Sequence, residues 1–202
     1  MLNLNQLPSP LWVLGTGTGV GKTHVSAQIA RAWAALGPVT YRKPFQTGVT
    51  DPDDPGADAA AITGPSLSTE THVLLRAPLS PLAAARREGR TLDLAAAAAW
   101  CTRPAEGRVL LEGVGGLMVP LAPKVHFLAW ATDLGIPCVL VAASGLGTLN
   151  HTLLSAEALM LRGWRLEAIL LNPGADGTDR ATAEDNAALL REFLPVPVHV
   201  IE

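Results

Sequence analysis

Residues 11–23 read Leu-Trp-Val-Leu-Gly-Thr-Gly-Thr-Gly-Val-Gly-Lys-Thr, and this stretch decides the fold. Its apolar start predicts a buried strand, its four glycines predict a glycine-rich turn, and Lys22-Thr23 predicts the start of a helix. Glycines permit positive φ and allow successive N–H groups to face one anion. The helix start adds unpaired N–H groups and the positive end of its dipole. The stretch therefore predicts a phosphate-binding loop.

Two side chains of this loop indicate what it binds. Lys22 is placed to reach the terminal phosphates of a nucleotide, and the Thr23 hydroxyl is placed to ligate a magnesium ion. The ligand implied is a nucleoside triphosphate with its metal. The opening glycine, Gly15, comes one residue earlier than the strict spacing, whose place Thr16 holds, so the loop is a lengthened variant. A plain glycine turn and a dinucleotide fingerprint are alternatives, and Lys22-Thr23 favours phosphoryl chemistry over both.

The composition is typical of a globular, enzyme-like chain. With 202 residues, 49% of them hydrophobic and 16% charged, the chain can bury one sizeable core, and we expect a single domain over residues 1–202. A net charge of −3 lacks the excess of positive charge that is typical of nucleic-acid-binding proteins. No apolar run has the length of a membrane span, and residues 1–10 lack the features of a secretion signal. With two cysteines and no disulfide framework, we expect the protein in the cytoplasm.

Strands and helices are expected to alternate along the chain. Apolar strands follow the first one at residues 39–42, 108–112, 137–143, 166–171 and 196–201. Helical patterns cover residues 24–36, 57–63, 82–88, 94–102, 125–134, 148–162 and 179–194. Residues 65–81 contain several prolines and are expected to be irregular, with a short strand at 71–75. This alternation predicts a doubly wound α/β fold with a mainly parallel sheet flanked by helices.

Acidic residues at two places are candidates for the metal. Glu112 ends the apolar run of residues 108–112, and an acid there is the usual partner of a phosphate loop, because it places a carboxylate beside the magnesium ion. Residues 50–58 form a turn-rich loop with four more acids: Asp51, Asp53, Asp54 and Asp58. Residue type alone leaves open which of these reaches the metal, because acids in such a loop also solvate it or cap the next helix.

Two further loops are candidates for substrate binding. Residues 43–48, Lys-Pro-Phe-Gln-Thr-Gly, are expected to form a polar loop at the carboxyl end of a strand, where open parallel sheets bind ligands. Lys43 and Thr47 are placed there for substrate contact, with a solvated surface cation as the alternative for Lys43. Residues 144–151 precede a helix and offer N–H groups to an anion such as a carboxylate. Plain capping of that helix by Thr148 is the alternative.

Taken together, four stretches in this order resemble the dethiobiotin synthetases: residues 15–23, 43–48, 112–116 and 145–151. The resemblance covers about residues 11–171. It implies a P-loop ligase of biotin biosynthesis that forms the ureido ring of dethiobiotin from 7,8-diaminononanoate and carbon dioxide, with ATP as co-substrate and Mg²⁺ as metal. The implied route runs through a carbamate and a carbamic-phosphoric anhydride, and it releases ADP and phosphate. The resemblance also implies a homodimer that shares the substrate carboxylate site across its interface.

The resemblance assigns roles to individual residues. It selects Asp58, because Ala57-Asp58-Ala59 matches the context of the family's second metal carboxylate. The implied catalytic residues are Lys22 and Lys43, and the implied metal ligands are Thr23, Asp58 and Glu112. The implied nucleotide contacts are Gly19, Val20, Gly21, Lys22, Thr23, His24, Asp58, Glu112, Gly113, Val114, Gly115 and Asn172, the last as the reader of adenine. The implied diamine contacts are Thr18, Thr47 and, from the neighbouring subunit, Gly147, Thr148, Leu149 and Asn150.

The chain also departs from the family's usual pattern. It has Gly17 in place of an aspartate, Ser144 in place of a frequent basic residue, and Asn172-Pro173 in place of Asn-Asp. The family continues with a loop over the adenine, whereas this sequence ends at Glu202, so the base preference is left open and binding of other nucleotides is an alternative.

Two rival interpretations share the predicted sheet and phosphate loop. A nucleotide-switched, partner-binding ATPase of the partition or division-site type is disfavoured because its signature lysine would fall at Gly17. An amidating synthetase of cobalamin assembly would need an attached glutaminase domain, for which 202 residues leave no room.

Overall fold

A seven-stranded sheet forms the centre of the structure, a computed structural model that describes residues 2–51, 54 and 56–201. Its strands are β1 (Leu11–Gly15), β2 (Val39–Thr47), β3 (Leu67–Leu75), β4 (Arg108–Glu112), β7 (Cys138–Ala143), β8 (Leu166–Asn172) and β9 (Val198–Val200). A separate antiparallel pair consists of β5 (Pro120–Ala122) and β6 (Val125–His126). The order across the large sheet is β3-β2-β4-β1-β7-β8-β9, and every described pairing in it is parallel.

Helices connect these strands. They are α1 (Lys22–Ala34), α2 (Pro81–Arg87), α3 (Leu94–Thr102), α4 (Phe127–Thr132), α5 (Thr148–Met160) and α6 (Arg180–Phe193). Short 3-10 turns occupy Leu4–Gln6, Asp58–Ala61 and Pro173–Ala175. Within the described part of the chain, no helix is long and apolar enough to cross a membrane.

Both faces of the sheet are buried. Along β1 the side chains of Trp12 and Leu14 enter one core, and those of Leu11 and Val13 enter the other. The first core also takes buried residues from α2 to α6, and the second is covered mainly by α1. Strands buried on both faces read as continuous apolar runs. The predicted α/β fold with a mainly parallel sheet flanked by helices is confirmed.

The strand predicted at residues 39–42 is too short, because β2 continues through the stretch that was expected to be a polar loop. Its residues stay in register with β3 from Val39 opposite Leu67 to Thr47 opposite Leu75. Pairing with β4 ends at Arg42, so Pro44 interrupts no hydrogen bonds to that neighbour. The prolines near residues 65–81 flank β3 instead of breaking it. Pairing between strands therefore overrides local composition here.

A second correction concerns the helix predicted at residues 125–134. The structure forms strand β6 at Val125–His126 and starts α4 at Phe127. The His126 side chain caps this helix by accepting a hydrogen bond from the Ala129 N–H. Two other elements also differ, because β3 begins at Leu67 and not at residue 71, and the helix predicted at residues 57–63 is the 3-10 turn Asp58–Ala61. The remaining predicted elements agree with the structure within about two residues, and α3 has the predicted bounds.

The topology places the site. From β1 the chain runs to β2 and β3 on one side of the sheet, and later to β7, β8 and β9 on the other. Ligands of open α/β sheets bind at the carboxyl ends of the strands where the order reverses. The loop after β1 lies at that point, beside the ends of β2 and β4.

Candidate functional site

The phosphate-binding loop predicted from the sequence joins β1 to α1, which starts at Lys22. Of its four glycines, Gly19 and Gly21 have φ of +75° and +94°, whereas Gly15 and Gly17 do not use the positive φ that glycine permits. At Gly15 the space for a side chain is tight. A Cβ there would lie 3.0 Å from the Lys22 side chain, which folds back and donates to the Gly17 carbonyl at 2.8 Å.

Asn172, at the end of β8, holds this loop from the side. Its Nδ2 donates to the Val20 carbonyl at 3.1 Å, and its Oδ1 accepts from the Gly174 N–H. A Cβ on Gly21 would lie 1.9 Å from that Nδ2. Only glycine therefore fits position 21, both for its left-handed backbone and for the close approach of Asn172.

The Thr23 hydroxyl is the meeting point of two carboxylates from distant parts of the chain. Its Oγ1 lies 2.9 Å from Oδ1 of Asp58 and 3.0 Å from Oε1 of Glu112. Thr23 belongs to the first turn of α1, Asp58 opens a 3-10 turn, and Glu112 ends β4. Three elements therefore place three oxygen-bearing side chains together at the N-terminal end of α1.

Lys43 bridges the same two carboxylates. Its Nζ lies 2.5 Å from Oδ2 of Asp58 and 2.8 Å from Oε1 of Glu112, and it donates to the Gly113 carbonyl at 2.9 Å. Lys43 is 2% exposed, so the alternative of a solvated surface cation is wrong. It lies inside β2, opposite Thr71, and not in a loop.

The charges in this cluster shift one another's pKa. Burial and the neighbouring Lys43 lower the pKa of Lys22 to about 8. Burial alone would also lower the pKa of Lys43, but the charges of Glu112 and Asp58 raise it above its usual value. Burial opposes ionisation of Asp58, yet Lys43, Thr23 and Lys22 together lower its pKa. Lys43 and Asp58 are therefore ionised near neutral pH.

Three polar residues that the sequence analysis did not select support the carboxylates. Oε2 of Glu112 accepts hydrogen bonds from the Ser26 hydroxyl at 2.8 Å and from the Tyr41 hydroxyl at 3.0 Å. The Asp58 backbone N–H donates to Oε1 of Gln46 at 3.1 Å. The sequence signal for two of them is their spacing from predicted site residues. Ser26 lies one helical turn after Thr23, and Tyr41 lies two strand positions before Lys43, so each shares a face with a site residue.

A cavity of about 610 Å³ lies against this cluster. Its wall includes Thr18, Gly19, Gly21, Lys22, Thr23, Lys43, Thr47, Asp58, Glu112, Val114 and Gly115, all predicted from the sequence as site residues. Its apolar part comes from Phe45, Pro78, Leu79, Pro81 and Val119, which the sequence analysis did not select. The cavity thus combines cationic, acidic and apolar surface.

Several predicted nucleotide contacts lie outside the described lining of that cavity. Val20 packs into the core under α1, and Gly113 takes part through its carbonyl, which accepts from Lys43. His24 is exposed on α1, where its ring lies 3.0 Å from the Gln28 amide. Asn172 is buried beside the phosphate loop.

The turn between β7 and α5 also lies apart from the described lining of the cavity. Gly147 and Asn150 are exposed, Leu149 is half-buried, and Thr148 is buried with its hydroxyl donating to the Ala143 carbonyl. The predicted cap is wrong in detail, because Gly147 holds the N-cap position of α5 and Thr148 is its first residue. Within the described chain, this turn does not reach the acidic cluster.

The Gly145 backbone N–H of the same turn donates to Oδ2 of Asp176 at 2.7 Å. Hydrogen bonds from Thr178 and from the backbone of residues 144 and 145 lower the pKa of Asp176 despite the cost of burial. The turn is therefore anchored to the loop after β8.

The remaining described acids of residues 50–58 belong to no cluster that could hold a second metal ion. Oδ1 of Asp54 accepts from the Gly56 N–H at 2.8 Å and so closes a local turn. Asp53 lies outside the described residues. Among the described acids of this loop, Asp58 is the one that lines the cavity.

The donor set fits a small divalent cation. Thr23, Asp58 and Glu112 offer hydroxyl and carboxylate oxygens, which are the ligands that hard cations such as Mg²⁺ prefer. The same two carboxylates lie within 2.8 Å of the Lys43 ammonium, so this point of the structure attracts positive charge. Phosphate oxygens held by the loop would complete such a coordination shell.

Comparison with known proteins identifies relatives over most of the chain. A family model described as an AAA domain matches residues 10–200. An ATP-dependent dethiobiotin synthetase BioD from Mycolicibacterium vanbaalenii is 44% identical, covering 93% of this chain and 87% of its own length. One from Methylobacterium nodulans is 40% identical, covering 87% of each chain. A biotin biosynthesis bifunctional protein BioCD from Bordetella avium is 41% identical over 95% of this chain and 38% of its own.

Solved structures with a similar fold are more distant. The septum site-determining protein MinD from Pyrococcus horikoshii, complexed with Mg-ADP, has a TM-score of 0.55 at 15% identity and covers 95% of this chain and 79% of its own. A nucleotide-binding protein from Archaeoglobus fulgidus, in complex with ADP, has a TM-score of 0.50 at 13% identity and covers 95% of this chain and 80% of its own. At such identities the likeness shows the fold alone.

Proposed function

This chain belongs to the family of ATP-dependent dethiobiotin synthetases, and from that premise we propose that it closes the ureido ring of dethiobiotin. The substrates are 7,8-diaminononanoate, carbon dioxide and ATP, and the products besides dethiobiotin are ADP and phosphate. One observation supports this proposal most strongly. Thr23, Asp58, Glu112 and Lys43 meet within hydrogen-bonding distance at the end of the cavity that the phosphate loop borders.

We assign nucleotide binding to the phosphate loop and the start of α1. The N–H groups of this loop and the Lys22 ammonium bind the phosphates. Thr23, Asp58 and Glu112 would hold Mg²⁺, which would supply positive charge to balance that of the phosphates. Glycines 113 and 115, with Val114 between them, follow Glu112 and leave room for the phosphates.

The chemistry of ring closure falls to the two lysines. One amine of the substrate adds to carbon dioxide and gives a carbamate, whose oxygen attacks the γ-phosphorus of ATP and displaces ADP. Lys43 faces that oxygen, and both Lys43 and Lys22 stabilise negative charge on the carbamate and on the phosphoryl group in transfer. The second amine then attacks the carbonyl carbon, phosphate leaves, and the ring closes.

The diamine lies between the lysines and the rest of the cavity wall. Thr18 and Thr47 line the cavity and offer hydroxyl groups to the amines or the carbamate. The apolar surface of Phe45, Pro78 and Val119 matches the methylene chain of the substrate.

The carboxylate end of the substrate binds to the start of α5 in a second copy of the chain. Within one chain, the described residues 147–150 stay outside the lining of the cavity. Exposed apolar side chains occur here too: Leu146 lies in the turn itself, and Leu154 on α5 lines a surface pocket together with Met118. Exposed apolar side chains that lie together are typical of interfaces between proteins, and a symmetric dimer would bury the same surface from both copies.

The role of Asn172 in reading adenine stays a prediction, as do the single domain and the cytoplasmic location. In the structure its amide holds the phosphate loop. A change at this position is therefore expected to affect phosphate binding as well as the choice of base.

Turnover tests the proposed function. The purified protein, with ATP, Mg²⁺, bicarbonate and 7,8-diaminononanoate, is expected to form dethiobiotin, detected by mass spectrometry, and one phosphate per product. Reactions without diamine should release little phosphate. Diamine-independent ATP hydrolysis with no dethiobiotin would contradict the proposal and would favour the partner-binding ATPase, for which the present support is likeness of fold to MinD.

A further inference from the structure

The carboxylate of Glu112 is held differently on its two oxygens. Oε1 accepts from Thr23 and from Lys43, which border the cavity. Oε2 accepts from Ser26 and Tyr41, which are buried on the opposite side, at 2.8 and 3.0 Å. One oxygen therefore faces the ligands and the other faces the core.

Two donors are enough to occupy one carboxylate oxygen. Each oxygen of an ionised carboxylate offers about two lone-pair positions. The Ser26 and Tyr41 hydroxyls together fill those of Oε2, and both side chains are fully buried. Neither donor carries a positive charge, and the cation that pairs with Glu112, the Lys43 ammonium, lies on the other oxygen, Oε1.

The fold keeps both hydroxyls in place. Ser26 lies one turn after Thr23 on the same face of α1. Tyr41 lies two residues before Lys43 in β2, pointing to the same face of the sheet, and its register with Leu110 of β4 places it beside the strand that ends in Glu112. The side chain of Glu112 is thus fixed from a helix and from a neighbouring strand.

We infer that Ser26 and Tyr41 are positioning residues that select the metal: they keep Oε2 of Glu112 occupied from the core, so that a cation in the cavity meets this carboxylate through Oε1, whose donors Thr23 and Lys43 border the cavity. The inference rests on the metal site of the proposed function. Mg²⁺ takes six oxygens in a tight octahedron, whereas Ca²⁺ takes six to eight and readily binds both oxygens of one carboxylate. A Glu112 whose Oε2 is occupied favours the smaller ion.

Competition for Mn²⁺ tests this selectivity without turnover. Wild type, Ser26→Ala, Tyr41→Phe and the double variant are saturated with ADP and Mn²⁺, and displacement by Mg²⁺ or Ca²⁺ is followed through the electron paramagnetic resonance signal of free Mn²⁺. All variants face the same solution complexes of ADP, so differences between them come from the protein. Thr152→Val, which removes a buried hydroxyl bonded only to Thr148, is the control.

In the double variant we expect Mg²⁺ affinity to fall roughly tenfold or more, as for other changes beside metal ligands, and Ca²⁺ affinity to fall much less. The ratio of the two affinities should move toward Ca²⁺, partly in each single variant and not in Thr152→Val. An equal loss for both ions in folded variants would overturn the inference and leave the metal site intact. Failure of the wild type to bind Mn²⁺ with ADP would contradict the metal site itself and the inference with it. If the double variant does not fold, the ratio in Tyr41→Phe, which lacks one oxygen atom, decides.

Discussion

The start of α1 and the start of α5 are both helix N-termini that follow a strand of the central sheet. A single chain builds a complete binding site at α1 but not at α5. At α1, Thr23, Asp58, Glu112 and Lys43 satisfy one another within 3.0 Å. At α5, Gly147 and Asn150 are exposed, and in the described chain residues 147–150 stand outside the cavity wall. The anchors of the α5 turn come from neighbouring backbone and from Asp176.

This difference separates two kinds of binding. The phosphate end is preorganised, because buried charges hold one another in position before any ligand arrives. The turn before α5 has N–H groups for an anion but lacks a wall, and the exposed leucines beside it are the kind of surface that a second chain would cover. Chemistry should therefore depend on residues of one chain, and recognition of the diamine carboxylate on two.

The largest expected effect comes from Lys43→Met at the complete end. Losing this cation should lower kcat by about a hundred- to a thousandfold, the range seen when one charge-stabilising donor is removed. The substitution also leaves two carboxylates facing each other. We therefore expect the free energy of unfolding to fall by about 3–5 kcal/mol, as when one partner of a buried ion pair is lost. Steady-state kinetics and chemical denaturation measure both.

The control is Lys124→Met, which removes a lysine exposed to solvent between β5 and β6. It should leave kcat and stability nearly unchanged. A Lys43→Met enzyme with near-normal turnover would remove this residue from the mechanism.

A smaller effect is expected from Asn150→Ala at the incomplete end. Loss of one hydrogen bond to a carboxylate should raise KM for the diamine by roughly tenfold while ADP binding stays the same. Mixing this variant with Lys43→Met provides the sharper test, because in a mixed dimer one site combines the intact Lys43 of one copy with the intact Asn150 of the other.

At low diamine concentration, an equal mixture should recover about a quarter of the wild-type activity, since half of the dimers are mixed and each has one intact site. The activity of each variant measured alone gives the baseline. A mixture of covalently fixed dimers, which cannot exchange subunits, gives the same baseline. A mixture no more active than the average of its parts would show that the diamine site lies within one chain.

The smallest expected effect is on nucleotide affinity and arises from Lys22. Because its pKa is lowered to about 8, this side chain loses its proton as the pH rises through 8, and only the charged form attracts phosphate. The dissociation constant for ADP should therefore rise above pH 8, by at most about tenfold per pH unit for one linked proton. Calorimetric titration from pH 7 to pH 9.5 measures it.

In Lys22→Arg the charge persists over that range, so the rise should disappear. The same rise in both proteins would assign the titration to another group.

The sequence contains most of the fold because its strands are buried on both faces. Apolar runs such as residues 108–112 and 137–143 can be recognised as strands from the local sequence, without knowledge of the strands that flank them. The edge of the sheet is harder to predict, because β3 is only partly buried and depends on its pairing with β2. Its length, and the burial of Lys43 inside β2, follow from that pairing and not from local composition.

The site divides in the same way. Lys22, Thr23 and Glu112 follow from local patterns, since a phosphate loop and an acid ending a strand each have their own sequence signal. Asp58 has no such signal among the acids of its loop, and only the resemblance to a family selected it. The spacing of Ser26 from Thr23 and of Tyr41 from Lys43 indicates a shared face, but it does not show that their hydroxyls bind Glu112, which follows only from the position of Glu112 in space.

A crystal structure with Mg²⁺, ADP and 7,8-diaminononanoate tests the central claim most directly. We expect oxygens of Thr23, Asp58 and Glu112 around one Mg²⁺ at the phosphates, Lys43 beside the reacting amine, and the diamine carboxylate at the start of α5 of a second copy. Asp58 and Glu112 turned away from the nucleotide, with no metal between them and Thr23, would contradict the account.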